Sequence, residues 1–539
     1  MMRRFAETCE AIAATTSRNE KVRLAAEYLR SLPKEDAAHA AVFLTGRAFP
    51  RREETVTAIG ARMVWQALAQ CSGAAPAAVA AAYRKHGDLG VAAEELLAEG
   101  GEGTGLSLRE VAEAFRKLAA ERGQAGKLAI LSRLLEADSP RVAKYLIKIL
   151  TGDLRIGFKE SMVEEAIAAG WAQPAAEVRR ANMLSGDIAQ TLLRASEATL
   201  GSASFRLFQP VDFMLASPAH STQDLAKAFP EGAYVEDKYD GIRAQVHKQG
   251  DRVKLFSRTL DEIVEFGELA PPLAGLPGDW VLDGEIVAWR GDRPLPFTEL
   301  QQRLGRKEPD LFLPLEIPVR FVAFDLLYRD GELLLDASFQ RRRKLLEDLL
   351  AKAMPPVVMA PLRRASSEQE FEQEFRAALG RNNEGIMAKH PASPYTVGRR
   401  GRHWLKLKQP MATLDVVVTA VEYGHGKRCA VLSDYTFAVR DGQRLVNIGK
   451  AYSGLTDAEI RALTEYFLAH VIEDKNSLKI VEPSVVLEVA FNNIQRSRRH
   501  ESGYALRFPR IVRLRPDKPV RAIDTLERVE QLFRAQSKG

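Results

Sequence analysis

Through the first ~200 residues, apolar positions recur at the three- and four-residue spacing of amphipathic helices. Ser107 with Glu110 three residues on reads as a capping box, and Val111, Phe115 and Leu118 then fall on one helical face. Ser139-Pro140 predicts another helix start, because a proline at the first helical position loses no hydrogen bond. Val142, Tyr145, Leu146, Ile149 and Leu150 line its apolar side, and Gly152 suits its end. The Ala-rich stretch 73–82 predicts a small-residue helix or loop, and the glycine-rich stretch 99–105 a flexible turn.

Near residue 205 the period changes. Short β-rich runs at 242–247, 253–256, 280–289 and 319–327 alternate with helical segments at 340–353 and 367–379, an α+β pattern. Pro410 follows a lysine-rich strand and marks a boundary, since proline stops a ladder. Beyond it, strands at 414–423, 430–439, 444–451 and 485–491 with one helix at 456–470 suit a small β-barrel. No internal repeat is visible. The expectation is a multidomain chain with an all-α domain at 1–204, an α+β domain at 205–409 and a β-barrel domain at 410–539.

Composition narrows the classes. A length of 539 residues, 46% hydrophobic and 27% charged, excludes wholesale disorder, collagen and coiled coil. The net charge of +6 is mild, so any polyanion site must come from local clustering. Three scattered cysteines (Cys9, Cys71, Cys429) build neither a disulfide framework nor a four-cysteine zinc module, and they fit a reducing cytoplasm. The N-terminus has two arginines but no apolar core, so it does not read as a secretory signal. No apolar run is long enough to span a membrane.

The chemistry concentrates around residues 236–243, Glu-Asp-Lys-Tyr-Asp-Gly-Ile-Arg. A lysine among acids before Asp-Gly is either a charged hairpin turn or a nucleophile. A lysine amine attacks phosphorus only after losing its proton, which requires burial or neighbouring cations. Downstream, Leu282-Asp-Gly-Glu-Ile286 puts Glu285 inside an apolar strand, where a carboxylate needs a partner or a cation. Phe321-Val-Ala-Phe-Asp-Leu-Leu327 offers aromatics that either pack a core or stack on a base. Glu384-Gly-Ile-Met-Ala-Lys389 supplies a second carboxylate for a hard cation. In Trp404-Leu-Lys-Leu-Lys408 the alternation turns Lys406 and Lys408 to one face, as a phosphate site or a solvated edge strand would.

These segments, with Phe256-Ser-Arg258, stand in the order and spacing of motifs I, Ia, III, IIIa, IV and V of the covalent nucleotidyltransferases, the superfamily of ATP-dependent DNA ligases and RNA capping enzymes. The block from Arg507 to Lys518 resembles motif VI in its DNA-ligase form. His86-Gly-Asp-Leu-Gly90 and the segment from Leu150 to Phe158 resemble the helical DNA-binding domain of archaeal and eukaryotic replicative ligases. The resemblance implies an OB-fold for 410–539 and a nucleotidyltransferase (adenylation) core for 205–409. It implies that Lys238 forms a lysyl-AMP and that Glu236 reads the adenine amine. Arg243 and Arg258 would contact ribose and phosphates, Glu285 the ribose and a metal, and Glu384 the metal. Phe324, or its neighbour Phe321, would stack on adenine. Lys406 and Lys408 would hold the AMP phosphate, and Arg510, Asp517 and Lys518 would close on ATP. Phe297 and Phe508 would press on the minor groove at a nick.

Charge clustering points the same way. Nine Arg or Lys between Arg496 and Arg521 face only Glu501 and Asp517, and interleaved apolar residues argue for a packed phosphate-binding surface over a tail. Lys144, Lys148, Arg155 and Lys159 are expected to contact DNA phosphate or minor groove, with ordinary solubilising charge as the alternative. The reading is an ATP-dependent DNA ligase that takes ATP, forms covalent AMP, uses Mg²⁺ or Mn²⁺ and acts on nicked double-stranded DNA. It is expected to be a cytoplasmic monomer, nucleoid-associated if prokaryotic, with no membrane partner and no peptide that indicates a sliding clamp. The rivals are an RNA ligase, a capping-type nucleotidyltransferase and a non-catalytic DNA clamp.

Overall fold

Local signals in the sequence become helix ends. In a computed structural model covering residues 1–53, 55–99, 103–304, 316–425, 428–475 and 478–536, Ser107 and Glu110 close the capping box of helix Leu108–Ala120. Helix Pro140–Leu150 starts on its proline. The Ala-rich stretch forms helix Pro76–His86, ended by Gly87 at φ 60°, a left-handed position that glycine adopts without strain. Residues 100–102 of the expected turn lie outside the described residues. Every described element before Leu215 is helical.

The chain divides into two compact units. One comprises Met1–Phe49, Thr55–Ala166 and Pro410–Gly539, the other Pro50–Glu54 and Ile167–Gln409. Helices Ala175–Ser185 and Ile188–Ser196, expected with the helical domain, fall in the second unit. There Arg52 pairs with Asp187 at 3.0 Å and Arg180 with Asp336 at 2.7 Å.

The second unit holds two sheets. The smaller contains β1 (Leu215–Pro218), β2 (Ala233–Lys238), β10 (Arg363–Ala365), β11 (Gly385–Lys389) and β12 (Arg400–Lys408), in the order β1-β12-β11-β2-β10. The larger runs β4-β3-β5-β7-β8, from β3 (Ile242–Gln249), β4 (Arg252–Phe256), β5 (Trp280–Arg290), β7 (Val319–Arg329) and β8 (Glu332–Leu333). Short β6 (Arg293–Pro294) and β9 (Val357–Met359) pair with β5 and β7. Period-two alternation sorts the faces. Leu282, Ile286, Phe321 and Ala323 pack an outer core with helix Phe339–Leu350. Ala233, Val235, Ile386, Leu405 and Leu407 pack the other outer face, with Phe371 and Ala378 of helix Glu368–Gly380. Val281, Tyr395 and Trp404 share a cluster between the sheets, with Phe324 packed against it.

After Pro410 the described strands are β13 (Thr413–Tyr423), β14 (Leu432–Asp441), β15 (Arg444–Ala451), β16 (Val471–Lys475), β17 (Leu478–Val481), β18 (Val486–Ala490), β19 (Asn493–Arg496), β20 (Tyr504–Arg507) and β21 (Arg510–Leu514). The sheet β15-β14-β13-β17-β16 branches at β13, whose first half pairs with β18, and β18 pairs with β21. Such branching curls a sheet into half a barrel, and the described pairings do not close it. Its core gathers Val418, Phe437 and Leu487 with Phe467 of helix Asp457–Ala469.

One buried ion pair supports the larger sheet. Arg342 and Asp325 are both 0% exposed, joined by two bonds of 2.7 and 3.0 Å, and Arg342 also donates to the Ser393 carbonyl at 3.1 Å. Asp325→Ala leaves a guanidinium buried without its partner and is expected to cost about 3–5 kcal/mol. A thermal melt should show the loss, and the apolar pair Asp325→Leu with Arg342→Met should recover much of it.

Candidate active site

Alternation along β2 turns Glu236 and Lys238 to the inner face and Asp237 to the outer one. Gly241 follows in the turn to β3. A Cβ there would strike the Ile286 carbonyl and the Glu285 side chain, so only glycine lets this turn lie against β5. A cavity of about 200 Å³ opens beside Lys238. Glu236, Arg243, Arg258, Glu285, Phe324 and Lys406 line it, all of them expected from the sequence. Phe321, the alternative to Phe324, faces the outer core.

The register brings Lys238, Gly385 and Lys408 into one row across β2, β11 and β12. Glu384 precedes Gly385 in a turn, and its N–H donates to the Lys238 carbonyl at 2.9 Å. Its carboxylate pairs with the amines of Lys238 and Lys408, the latter at 2.6 Å. Burial pushes Glu384 up, but the two ammonium groups outweigh it and hold its carboxyl below the usual range. Asp240 is pushed up to about 6 by burial and then by the Glu384 charge. Glu285 is pushed up to about 7 by burial, against the pull of Lys238 and Arg243.

The cations divide into two groups. Arg243 forks onto Asp283 at 3.0 and 2.7 Å and donates to the Met214 carbonyl at 2.8 Å, with the Phe213 ring 4.8 Å away. Lys389 pairs with Glu236 at 2.5 Å and lies 4.7 Å from the Phe324 ring centroid and 4.3 Å from that of Trp404. Burial drives Glu236 up and Lys389 down, each opposed by the other's charge. Arg258, Arg400 and Lys406 line the same cavity and make no such pair among the described residues. Burial, then the charges of Lys408, Lys238 and Arg400, lowers Lys406. Three cations in one cavity lining, with no ion pair among the described residues, suit an anionic ligand. Sequence reading gave no role to Arg400, Lys389, Asp240 or Asp283. Arg400 lies in the run Arg399-Arg-Gly-Arg402, a visible signal, whereas Asp283 and Lys389 emerge only through pairing across strands. Among the described residues no three His, Cys, Asp or Glu side chains form a ready-made metal cage.

The expected DNA-contact residues fare unevenly. Lys144 pairs with Glu10 at 2.5 Å and Glu94 at 2.9 Å, and Lys148 with Asp88 at 2.5 Å. Their side chains are 12% and 6% exposed, so their shared helix face turns into the helical layer and does not offer free cations to phosphate. Asp88 also caps helix Leu89–Leu96. Arg155 is partly exposed at φ 54° and donates to the Gly87 carbonyl at 2.5 Å, while Lys159 is exposed. Phe297 is half-buried against the outer core, whereas Phe508 is 55% exposed at φ 49°, with the Arg507 guanidinium 5.1 Å from its ring centroid. Arg510 is exposed on β21. Asp517 pairs with Arg515 at 2.9 Å, and Arg515 and Lys518 both reach Asp415, at 2.9 and 2.5 Å.

A lysine in a cation-lined cavity, set among carboxylates between two sheets, is an arrangement suited to covalent nucleotidyl transfer. Family patterns described as ATP dependent DNA ligase domain, DNA ligase N terminus and ATP dependent DNA ligase C terminal region match residues 213–408, 1–168 and 428–518. A probable DNA ligase of Koribacter versatilis is 48% identical over 99% of this chain and 97% of its own length. A DNA ligase of Archaeoglobus fulgidus is 34% identical over 99% and 98%. The solved structure Pmar-Lig_PreS3 shares the fold, with TM-score 0.61 and 17% identity over 95% of this chain and 99% of that one. The chain belongs to the ATP-dependent DNA ligases, enzymes that seal nicks through an adenylylated intermediate.

The raised Glu285 carboxyl has a stability consequence. The unfolded chain ionises this group near its ordinary value of about 4.3, whereas the folded protein resists ionisation until about 7. Stability is therefore lost as pH rises between those values, by up to about 4 kcal/mol. Glu285→Gln should melt close to the parent at pH 4 and increasingly above it toward pH 8. A constant difference across that range would contradict the assignment.

Proposed function

We propose that Lys238 is the nucleophile of this ligase. The observation that carries the reading is its place in one cavity lining with Arg258, Arg400 and Lys406, which make no ion pair among the described residues. In the first step the Lys238 amine attacks the α-phosphate of ATP, a P–N bond forms, the bond to the bridging oxygen breaks and pyrophosphate leaves. AMP then passes to the 5′-phosphate of a nick, and the 3′-hydroxyl displaces it. Each displacement depends mainly on positioning and charge neutralisation. Glu236 accepts from the adenine amine, Phe324 stacks on the base, and Arg243 and Arg258 meet ribose and phosphate. Lys406 and Lys408 neutralise the AMP phosphate.

A divalent cation fits the carboxylates. Burial and then the Glu384 charge raise Asp240, a cost that a hard cation among these carboxylates would relieve, and an oxygen-only donor set suits Mg²⁺ or Mn²⁺. Glu285 and Glu384 would hold it, and it would supply charge neutralisation at the phosphates. The division we favour is a helical DNA-binding domain at 1–204, a nucleotidyltransferase domain at 205–409 and an OB-fold at 410–539. The segments 86–90 and 150–158, which resemble the helical domain of archaeal and eukaryotic replicative ligases, favour the replicative type. Arg155, Lys159, Phe297 and Phe508 are the proposed DNA contacts, while Arg510, Asp517 and Lys518 act on ATP. The enzyme acts as a cytoplasmic monomer. No described helix is long and apolar enough to cross a membrane.

Radiolabelled ATP tests the nucleophile. Lys238→Ala, and equally Lys238→Arg, should take up no covalent label, and label retained after denaturation would reject the assignment. Label from GTP, or sealing of nicked RNA in preference to DNA, would favour a capping enzyme or RNA ligase. Asp517→Ala and Lys518→Ala should fail with ATP and an ordinary nick yet seal a nick already carrying AMP. Equal loss on both substrates would remove their specific role in the ATP step.

A further inference from the structure

Asp237 stands between the two inner-facing residues of β2, yet its own side chain lies on the outer face. That face is otherwise apolar, built from Ala233, Val235, Ile386, Leu405 and Leu407. Asp237 is 6% exposed. A carboxylate there is costly unless its charge and lone pairs are satisfied. The two closest partners come from one short segment. The Arg381 guanidinium donates at 2.8 and 2.6 Å, one bond to each carboxylate oxygen, and the Asn383 side-chain amide donates at 3.0 Å. Arg363, on neighbouring β10, adds a longer contact of 3.3 Å.

Arg381 and Asn383 belong to the turn that delivers Glu384. Helix Glu368–Gly380 ends at Arg381, Asn382 takes φ 63°, and the Asn383 N–H returns to the Ala378 carbonyl at 3.1 Å. The next residue is Glu384, whose N–H holds the Lys238 carbonyl and whose carboxylate holds the Lys238 amine. One end of this turn is fixed by the helix. The other meets β2 through backbone at Lys238 and through side chains at Asp237.

We propose that Asp237 is a positioning residue for adenylylation, a latch from β2 to Arg381 and Asn383 that sets the Glu384 carboxylate against Lys238. This rests on the roles given above to Lys238 and Glu384. Asp237 contributes to the cavity lining, but its carboxylate is taken up by Arg381 and Asn383 and bonds to neither Lys238 nor Glu384. A buried charge that only stabilised the fold would have no reason to influence labelling of Lys238 at saturating ATP.

The test is single-turnover self-adenylation of the full chain. Asp237→Asn keeps the shape and removes the charge, and Arg381→Ala removes the partner without touching β2. Each should slow labelling at saturating ATP by about ten- to a hundredfold, the scale on which a misplaced group slows a positioned reaction, with the half-saturating ATP concentration unchanged. In a Glu384→Asp background, which keeps the carboxylate but shortens its reach, neither change should slow labelling much further, because residues acting through one another are not additive. A lowered melting temperature with the parent labelling rate would overturn the proposal, as would a raised ATP requirement at full rate or losses that multiply with Glu384→Asp. A parent rate for Glu384→Ala would instead overturn the role given to Glu384, whatever the Asp237 variants do.

Discussion

Everything at the cavity depends on one register. Across β2, β11 and β12 the rows are Lys238, Gly385 and Lys408, then Glu236, Met387 and Lys406, then Tyr234, Lys389 and Trp404. The first row sets two lysines on either side of the turn that carries Glu384. The next two bring Glu236 to Lys389 and open Lys406 to the cavity. A slip of one residue would send Glu236 and Lys238 to the apolar face and bring Asp237 inward. The hydrophobic outer face is therefore what aims the chemistry: Ala233, Val235, Ile386 and Leu407 hold the register because no other pairing buries them.

Charge in this site is sorted by partner as much as by position. Lys238, Lys408, Arg243 and Lys389 each meet a carboxylate, and their geometry is set before any ligand arrives. Arg258, Arg400 and Lys406 keep their positive field directed into the cavity. The first group costs little reorganisation when a nucleotide enters, and the second supplies the attraction. The C-terminal region behaves similarly on a smaller scale. Asp415 collects Arg515 and Lys518, while Arg510 remains exposed on the same strand as Arg513, which pairs with Glu488 at 2.7 Å.

Much of this was legible in the sequence. Caps and alternation marked helices Leu108–Ala120 and Pro140–Leu150 and strands β3, β5 and β7 to within a few residues, because each has a strong apolar period. Strand β16 was not legible: its residues are almost all exposed, so no alternation betrays an edge strand. The motifs named Lys238, Glu285, Phe324 and Lys406, which line one cavity. They could not separate Phe324 from Phe321 until the strand's faces were known. Lys144 and Lys148 misled because i,i+4 spacing reveals a shared face but not what that face meets. Asp283 and Lys389 were hidden because their partners, Arg243 and Glu236, lie on other strands.

The Asp88 carboxylate bears on how such chains are recognised. One of its oxygens accepts from the Gly90 and Val91 N–H groups, and the other meets Lys148, so a single side chain ties a helix start to a neighbouring helix. Gly90 lies so close to Lys144 and Lys148 that a Cβ would press on them. The short signature around Asp88 thus records a joint between helices. A chain could keep this signature after its nucleic-acid face had drifted. A lesion at Asp88 would resemble lost DNA affinity in an assay while being, at root, a failure of two helices to dock.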